Sequence, residues 1–196
     1  MSSRSSQYII IAGLTTFVVA IAFIYKRQIK GAVKDIINYA FSKEQEFFLT
    51  DLHSEYKKVF RSFISDVDTK LGYKTLITSG YRSFKKQSEL KAENSSNASP
   101  GKSMHNYGLA IDINLISKRD GHQLRKSSSS ADWEKTGIVE LAKSYGLKWG
   151  GAGAFGSYHD PVHFEIPLGG DKLYGQAIKQ FGSESKVVGN ELKLFS

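Results

Sequence analysis

The sequence contains no cysteine among its 196 residues. This lack excludes disulfide bonds, thiolate nucleophiles and cysteine-ligated zinc or iron–sulfur sites, although it leaves the redox compartment open. The length suits one domain of ordinary size with an appendage, which excludes two full domains. Hydrophobic residues make up 40% of the chain and charged residues 23%, a composition that excludes disorder throughout.

The net charge of +8 is unevenly distributed, and this argues against a nucleic-acid-binding protein. Half of the positive excess lies in residues 1–35, around one hydrophobic segment. The rest of the chain contains no RNP, zinc-finger or arginine-rich signature. We therefore expect no nucleic-acid partner, while an anionic membrane or cell wall suits the charge equally well.

Residues 8–25 form an apolar run without any charged residue. A helix of this length spans about 27 Å, close to the thickness of the hydrocarbon core of a bilayer. The run predicts a transmembrane helix or signal anchor, with a short tail at residues 1–7 and a juxtamembrane linker at residues 26–43. A cleaved signal peptide is the alternative, because Ala20–Ala22 has the small-x-small form of a cleavage site. The basic residues that follow the run favour a cytoplasmic C-terminal domain, so the orientation stays open.

Residues 44–196 are predicted to form a folded domain of the α+β class. Apolar residues at steps of three and four predict helices, and alternating apolar residues predict short strands. The predicted helices cover residues 44–71, 84–93, 132–145 and 171–181, and the predicted strands cover residues 74–79, 108–115, 147–149 and 161–166. Residues 117–131 are predicted to form a surface loop. Gly151–Gly156 matches GxGxxG, but Pro161 follows too closely for a helix to begin there, which disfavours a dinucleotide site.

Two predicted strands carry a side chain that can bind a metal on the face opposite their apolar residues. Asp112 lies on the first strand and His163 on the second. Pairing of these strands would bring the two side chains together, and His105, in the preceding loop, could reach the same face. Two histidines and a carboxylate make the three-ligand set of a catalytic zinc site, with the fourth position left for water. Taken singly, each residue has an ordinary alternative, as a turn or edge aspartate or a hydrogen-bonded histidine.

Two further charged residues are candidates for the chemistry. Asp160 lies three residues before His163 and outside the strand, because Pro161 interrupts pairing. Its carboxylate could act as general base for an attacking water, although an Asp–Pro turn is the ordinary alternative. Arg82 follows the strand 74–79 and could stabilise an oxyanion or bind a substrate carboxylate, the alternative being a surface ion pair.

Four segments together resemble the ordered motifs of a known family. They are SGYRS at 79–83, SMHNYGLAID at 103–112, GLKWGG at 146–151 and DPVHFE at 160–165. They are similar to the motifs of the zinc D-Ala-D-Ala carboxypeptidase and L-alanyl-D-glutamate endopeptidase family, which includes phage endolysins. The resemblance covers about residues 70–168, and it implies a small antiparallel sheet, flanked by helices, that forms the floor of a zinc cleft. Loop 117–131 and the first 70 residues have no clear counterpart in the family.

The resemblance also implies a function and a set of site residues. It implies His105, Asp112 and His163 as ligands of Zn²⁺, Asp160 as catalytic base, Arg82 as the stabilising cation, and Ser103 and Trp149 in the peptide-binding cleft. The implied activity is hydrolysis of amide bonds in peptidoglycan stem peptides. The apolar run 8–25, which is unusual for a soluble lysin, would anchor the domain in the membrane so that it faces the cell wall. A virion membrane component and a protein secreted after signal cleavage are alternative locations. The alternative function is that of a cell-wall-binding or virion structural protein with the peptidase fold.

Overall fold

The computed structural model describes Lys30 and residues 45–156 and 158–194. The predicted tail 1–7 and membrane segment 8–25 lie outside the described residues, as does the linker 26–43 apart from Lys30. Within the described part of the chain, no helix is both long and apolar enough to cross a bilayer. Gln45–Ser196 forms one compact unit, which contains every predicted site residue.

This unit is of the α+β class, as predicted. Its helices are α1 Lys57–Lys70, α2 Phe84–Glu93, α3 Ser130–Glu134, α4 Ile138–Ser144 and α5 Gly170–Phe181. Its strands are β1 Tyr73–Ser79, β2 Ala110–Ser117, β3 Gln123–Leu124, β4 Lys148–Trp149 and β5 His163–Glu165. Short 3₁₀ turns lie at Met104–Tyr107, Glu184–Lys186 and Gly189–Glu191.

A small antiparallel sheet in the order β1-β2-β5-β4, with β3 paired to β2, forms the centre of the unit. The alternation in β2 separates two faces, because Ile111, Ile113 and Leu115 are fully buried in the core. Helices cover this apolar face: the ring of Phe63 in α1 lies 5.3 Å from that of Phe164 in β5. Full burial of each such side chain contributes about 1.5–3 kcal/mol. The opposite face of β2 and β5 is therefore free to carry polar side chains.

The single helix predicted over residues 44–71 is wrong, because two helical segments lie there. Residues 45–50 are helical, residues 51–56 form turns, and α1 begins at Lys57. Within the turns the backbone N–H of His53 donates to the carbonyl of Gly108 at 3.0 Å, and His53 Nε2 donates to the carbonyl of Leu192 at 2.8 Å. These bonds link distant parts of the chain and compete with the local hydrogen bonds of a continuous helix, which apolar periodicity alone does not show.

The predicted helix 132–145 is also divided in the structure. Gly137 between α3 and α4 has a φ of 79°, a left-handed conformation that interrupts the helix. The side chain of Ser129 caps α3, because its Oγ accepts from the N–H of Asp132. The stretch is thus two short helices joined by a glycine.

The segment after α5 packs behind the part of the chain that carries His105. Leu192 and Leu194 are buried, and Gly189 approaches so closely that a Cβ there would lie 1.8 Å from the carbonyl oxygen of Asn106. This approach leaves room only for glycine. The C-terminal segment therefore supports the 3₁₀ turn Met104–Tyr107 from behind.

Candidate functional site

The sheet register brings Asp112 and His163 together, as the strand pattern predicts. The two residues are direct partners in the antiparallel pairing of β2 with β5, and the Nδ1 atom of His163 lies 3.0 Å from Oδ1 of Asp112. His105, on the 3₁₀ turn that precedes β2, places its Nε2 atom 3.1 Å from both of these atoms. Three atoms from three separate elements therefore converge on one point.

Each histidine also forms a hydrogen bond on the side of its ring that faces away from Asp112. This bond determines which ring nitrogen presents a lone pair to the three converging atoms. His105 Nδ1 donates to the carbonyl of Gly80 at 2.7 Å, and His163 Nε2 donates to Oε2 of Glu165 at 3.0 Å. In the neutral rings, the nitrogens that face Asp112 are consequently unprotonated. Two imidazole lone pairs and a carboxylate oxygen at this spacing repel one another unless a cation lies between them.

A metal ion fits this arrangement. The three residues form a group of potential ligands whose donor atoms all lie within 4.8 Å of one another. Zinc ligands at about 2.0–2.1 Å in tetrahedral geometry lie about 3.3 Å apart, close to the separations seen here. Two imidazoles and one carboxylate are also the donor types of catalytic zinc sites, and outer hydrogen bonds to a carbonyl and a carboxylate are typical of their histidines.

Burial and neighbouring charge act in opposite directions on the three groups. Burial lowers the pKa of His105 below its ordinary value. Burial by itself would also lower the pKa of His163, but hydrogen bonds with Asp112 and Glu165 raise it to about 9. Burial by itself would raise the pKa of Asp112, but the two histidines hold that pKa well below its usual range. Asp112 is therefore ionised, and the site attracts a cation.

Asp160 lies beside this centre with its two carboxylate oxygens in different environments. Oδ2 accepts from Nζ of Lys126 at 3.3 Å, whereas Oδ1 is buried and has no hydrogen-bond partner among the described residues. The backbone fixes the position of the residue, because the N–H of Asp160 donates to Gly150 and its carbonyl accepts from His163. A free, buried carboxylate oxygen at the edge of the site is suited to accept a proton.

Arg82 also lies beside this centre, in contact with Asp112. The backbone N–H of Arg82 donates to the carbonyl of His105 at 2.9 Å. In the side chain, Nη1 donates to Oε1 of Gln87 at 3.2 Å, and Nη2 lies 3.4 Å from Oδ2 of Asp112. Nε is buried and has no partner within the described part of the chain. Burial lowers the pKa of Arg82, yet an arginine remains charged in proteins. The structure thus holds a cation with spare donor capacity beside the candidate metal ligands.

A cleft of about 320 Å³ opens over these residues. Residues 96–98, Lys102 and Ser103 line one part of it, while Phe155 and Tyr158 contribute from the glycine-rich loop that follows β4. His105, Asp160 and His163 also line the cleft. Ser103 thus lies at the wall of a cavity large enough for a peptide segment, and its role in binding a peptide stays a prediction.

The structure places Trp149 differently from the prediction. Its indole is 9% exposed and donates through Nε1 to the carbonyl of Pro161 at 2.8 Å, and Trp149 is not among the residues that line the cleft. The aromatic ring packs against Gly151, where a Cβ would meet it at 2.2 Å. Trp149 thus supports the loop of Asp160 from within the core. His159, which has no role in the prediction, is exposed and lies near Ser130.

Two functional candidates were missed by the sequence analysis. Glu165, the outer partner of His163, lies two residues further along β5 on the same face, so its spacing could have indicated the contact. Lys126, the partner of Asp160, belongs to the loop 117–131, and nothing in its local sequence indicates that it reaches the site.

Comparison with known proteins shows which proteins this chain is similar to. Residues 96–166 match the model of a family described as D-alanyl-D-alanine carboxypeptidase. A curated relative, the peptidoglycan L-alanyl-D-glutamate endopeptidase CwlK of Bacillus subtilis (strain 168), is 36% identical over an alignment of 108 residues, and the match covers 48% of this chain and 62% of the relative. The chain thus matches less than two thirds of that relative's length. These matches confirm the resemblance to the zinc D-Ala-D-Ala carboxypeptidase and L-alanyl-D-glutamate endopeptidase family, and His105, Asp112 and His163 form a group that could hold the predicted zinc ion.

Two solved enzyme structures match part of this chain at low sequence identity. VanYB in complex with D-alanine-D-alanine is 20% identical with a TM-score of 0.45, over 64% of this chain and 77% of that one. The Serratia marcescens L-Ala D-Glu endopeptidase ChiX is 20% identical with a TM-score of 0.46, over 63% of this chain and 86% of that one.

Proposed function

We propose that the protein is a zinc peptidase that hydrolyses amide bonds in peptidoglycan stem peptides. The observation that carries this proposal is the convergence of His105 Nε2, Asp112 Oδ1 and His163 Nδ1 at 3.0–3.1 Å, at a cleft that Asp160 also lines. The family match and the named activity of the curated relative supply the substrate class.

The roles of the residues follow from their positions. The two histidines and Asp112 would hold zinc, and the bound ion would supply a Lewis acid for the substrate carbonyl and for the attacking water. Asp160 Oδ1 takes a proton from the attacking water and returns it to the amine nitrogen as the carbon–nitrogen bond breaks, which gives a carboxylate and an amine. The guanidinium of Arg82 stabilises the negative charge that develops on the carbonyl oxygen. Ser103 binds the peptide at the wall of the cleft.

The competing function is that of a wall-binding module with the peptidase fold. Such a module needs the cleft but has no use for a proton acceptor beside the metal site. The free Oδ1 of Asp160 and the buried Nε of Arg82 therefore favour catalysis over binding alone.

The test is digestion of purified murein by the full chain, with mass spectrometry of the released muropeptides. We expect cleavage of a stem-peptide bond, and the masses identify whether that bond is internal or terminal. His163→Ala should abolish both zinc binding and cleavage, whereas Lys143→Ala, on the exposed surface of α4, should leave both unchanged. Full hydrolysis by His163→Ala, or wall binding without cleavage by the wild-type protein, would refute the proposed function.

The proposed location is a membrane surface that faces the cell wall, with residues 8–25 as the anchor. Support comes from the uncharged apolar run and from the excess of basic residues around it. Protease treatment of intact cells or particles should cleave the domain only if it is outside. Protection of the domain until the membrane is lysed would argue for the opposite orientation, and a mature N-terminus after Ala22 would argue for a cleaved signal peptide.

A further inference from the structure

Lys126 comes to the site from the loop that has no counterpart in the family motifs. The sequence predicts only a surface loop between β2 and α3, but this segment contains the strand β3. Leu124 of β3 is buried and pairs with Leu115 of β2. This pairing fixes the chain two residues before Lys126 to the central strand of the sheet.

Two hydrogen bonds between Arg125 and Ser128 close the turn that carries Lys126. The N–H of Ser128 donates to the carbonyl of Arg125 at 2.9 Å, and the N–H of Arg125 donates to Oγ of Ser128 at 3.0 Å. The carbonyl of Arg125 also accepts from Nε1 of Trp133, a fully buried residue of α3. Lys126 is therefore presented by backbone that is tied to both the sheet and the core.

The ammonium group of Lys126 joins two residues of the opposite loop. Its Nζ donates to the hydroxyl of Tyr158 at 2.9 Å and to Oδ2 of Asp160 at 3.3 Å. Burial lowers the pKa of Lys126, but its bonds with Tyr158 and Asp160 outweigh this and raise that pKa, so the group is a cation at neutral pH. A compact cation is thus fixed against one oxygen of the carboxylate that the proposed function assigns as general base.

This contact makes the two oxygens of Asp160 unequal. Oδ2 is held by Lys126, and the carboxylate plane is thereby fixed with Oδ1 buried and unpartnered among the described residues. A base is effective only when its accepting atom stays within hydrogen-bond reach of the proton it takes. We propose that Lys126 is a positioning residue of the peptidase, which holds Asp160 by Oδ2 and so keeps Oδ1 directed at the attacking water. This inference rests on the proposed function.

The surroundings of this ion pair differ from those of an ordinary surface pair. Lys135 and Asp132 are joined at the same 3.3 Å with side chains that are 76% and 49% exposed, whereas the side chain of Lys126 is 57% exposed and that of Asp160 only 16%. Exposed pairs of the first kind exchange freely with water and fix little geometry. Lys135 therefore provides a matched control for removal of one lysine charge.

The experiment compares steady-state hydrolysis of a soluble stem peptide by the zinc-loaded wild-type protein, Lys126→Met, Lys126→Arg and Lys135→Met. For Lys126→Met we expect a fall of about tenfold or more in kcat with KM changed by less than about twofold, because the base is misplaced while binding is retained. Lys126→Arg, which keeps a cation, should recover most of kcat. The melting temperature and the zinc content of all variants should equal those of the wild type, which separates positioning from a structural role.

Three results would overturn the inference. An unchanged kcat in Lys126→Met would show that Asp160 needs no cation at Oδ2. A raised KM with unchanged kcat would show that Lys126 contacts the substrate, and an equal loss in Lys135→Met would show a general effect of charge. If the wild-type protein releases no peptide, both the proposed function and this inference fail. If the wild-type protein is active and Lys126→Met is equally active, only this inference fails.

Discussion

Glu165 holds the imidazole of His163 from the side opposite the metal site, with Oε2 3.0 Å from Nε2. Both residues lie on the polar face of β5, so the strand itself sets their spacing. In the neutral ring, the contact keeps the proton on Nε2 and so directs the Nδ1 lone pair towards Asp112 and His105. Lys148 Nζ approaches the second oxygen of Glu165 at 3.8 Å.

Replacement of Glu165 should therefore weaken zinc binding without touching a ligand. For Glu165→Ala we expect the dissociation constant for zinc to rise about 10- to 100-fold, and Glu165→Gln, whose amide oxygen can still accept from Nε2, should lose less. Chelator competition measures the constant. Glu140→Ala, on the exposed surface of α4, is the matched control. Equal zinc affinity in Glu165→Ala and the wild type would show that β5 orients His163 without this carboxylate.

Zinc binding should release a proton, because His163 carries one when the metal is absent. Burial lowers the pKa of His105, so this ring is neutral, whereas the bonds with Asp112 and Glu165 raise the pKa of His163 to about 9. Below that pH, zinc displaces the proton from Nδ1, and the apparent affinity should fall about tenfold for each pH unit. Calorimetry at neutral pH in buffers of different ionisation enthalpy should count about one proton. A count near zero would contradict a raised pKa.

Arg82 should contribute to turnover more than to metal binding. Arg82→Met removes the cation beside the proposed oxyanion, and loss of one such donor typically lowers kcat about 10²- to 10³-fold. Arg82→Lys should recover only part of this, because it lacks the fork that contacts both Gln87 and Asp112. Zinc content is the second measurement. If Arg82→Met loses its zinc, then Arg82 acts by holding Asp112 and not by stabilising charge on the substrate.

Much of the site could be predicted because its residues obey the local periodicity of strands. Asp112 and His163 lie on the polar side of alternating segments, and the pairing of β2 with β5 then places them opposite each other. The α+β class followed from the same patterns. Glu165 obeys the same rule, and only the lack of a second observation kept it from being assigned.

Other features depend on contacts between distant residues, which no local pattern contains. The break at residues 51–56 exists because His53 bonds to Gly108 and Leu192, and the contact of Lys126 with Asp160 exists because β3 returns the loop to the sheet. Trp149 was assigned to the cleft by resemblance, yet it packs inward. In each case, contacts between residues distant in sequence determined a feature that local sequence propensity does not predict.

Substitution of Gly150 tests how closely the backbone around Asp160 is packed. A Cβ there would lie 2.6 Å from the carbonyl oxygen of Asp160 and 2.9 Å from Cβ of His163, so Gly150→Ala must displace the base or a metal ligand. We expect kcat to fall and the free energy of unfolding to drop by about 1–3 kcal/mol, the usual cost of overpacking.

Gly175→Ala is the control, because a Cβ at this position in α5 meets nothing within 4 Å. It should raise the free energy of unfolding by about 0.5–1 kcal/mol and leave kcat unchanged, since alanine favours the helix interior. Urea denaturation and peptide hydrolysis measure both quantities, and a fully active Gly150→Ala would mean that the loop of Asp160 accommodates the methyl group without moving the carboxylate.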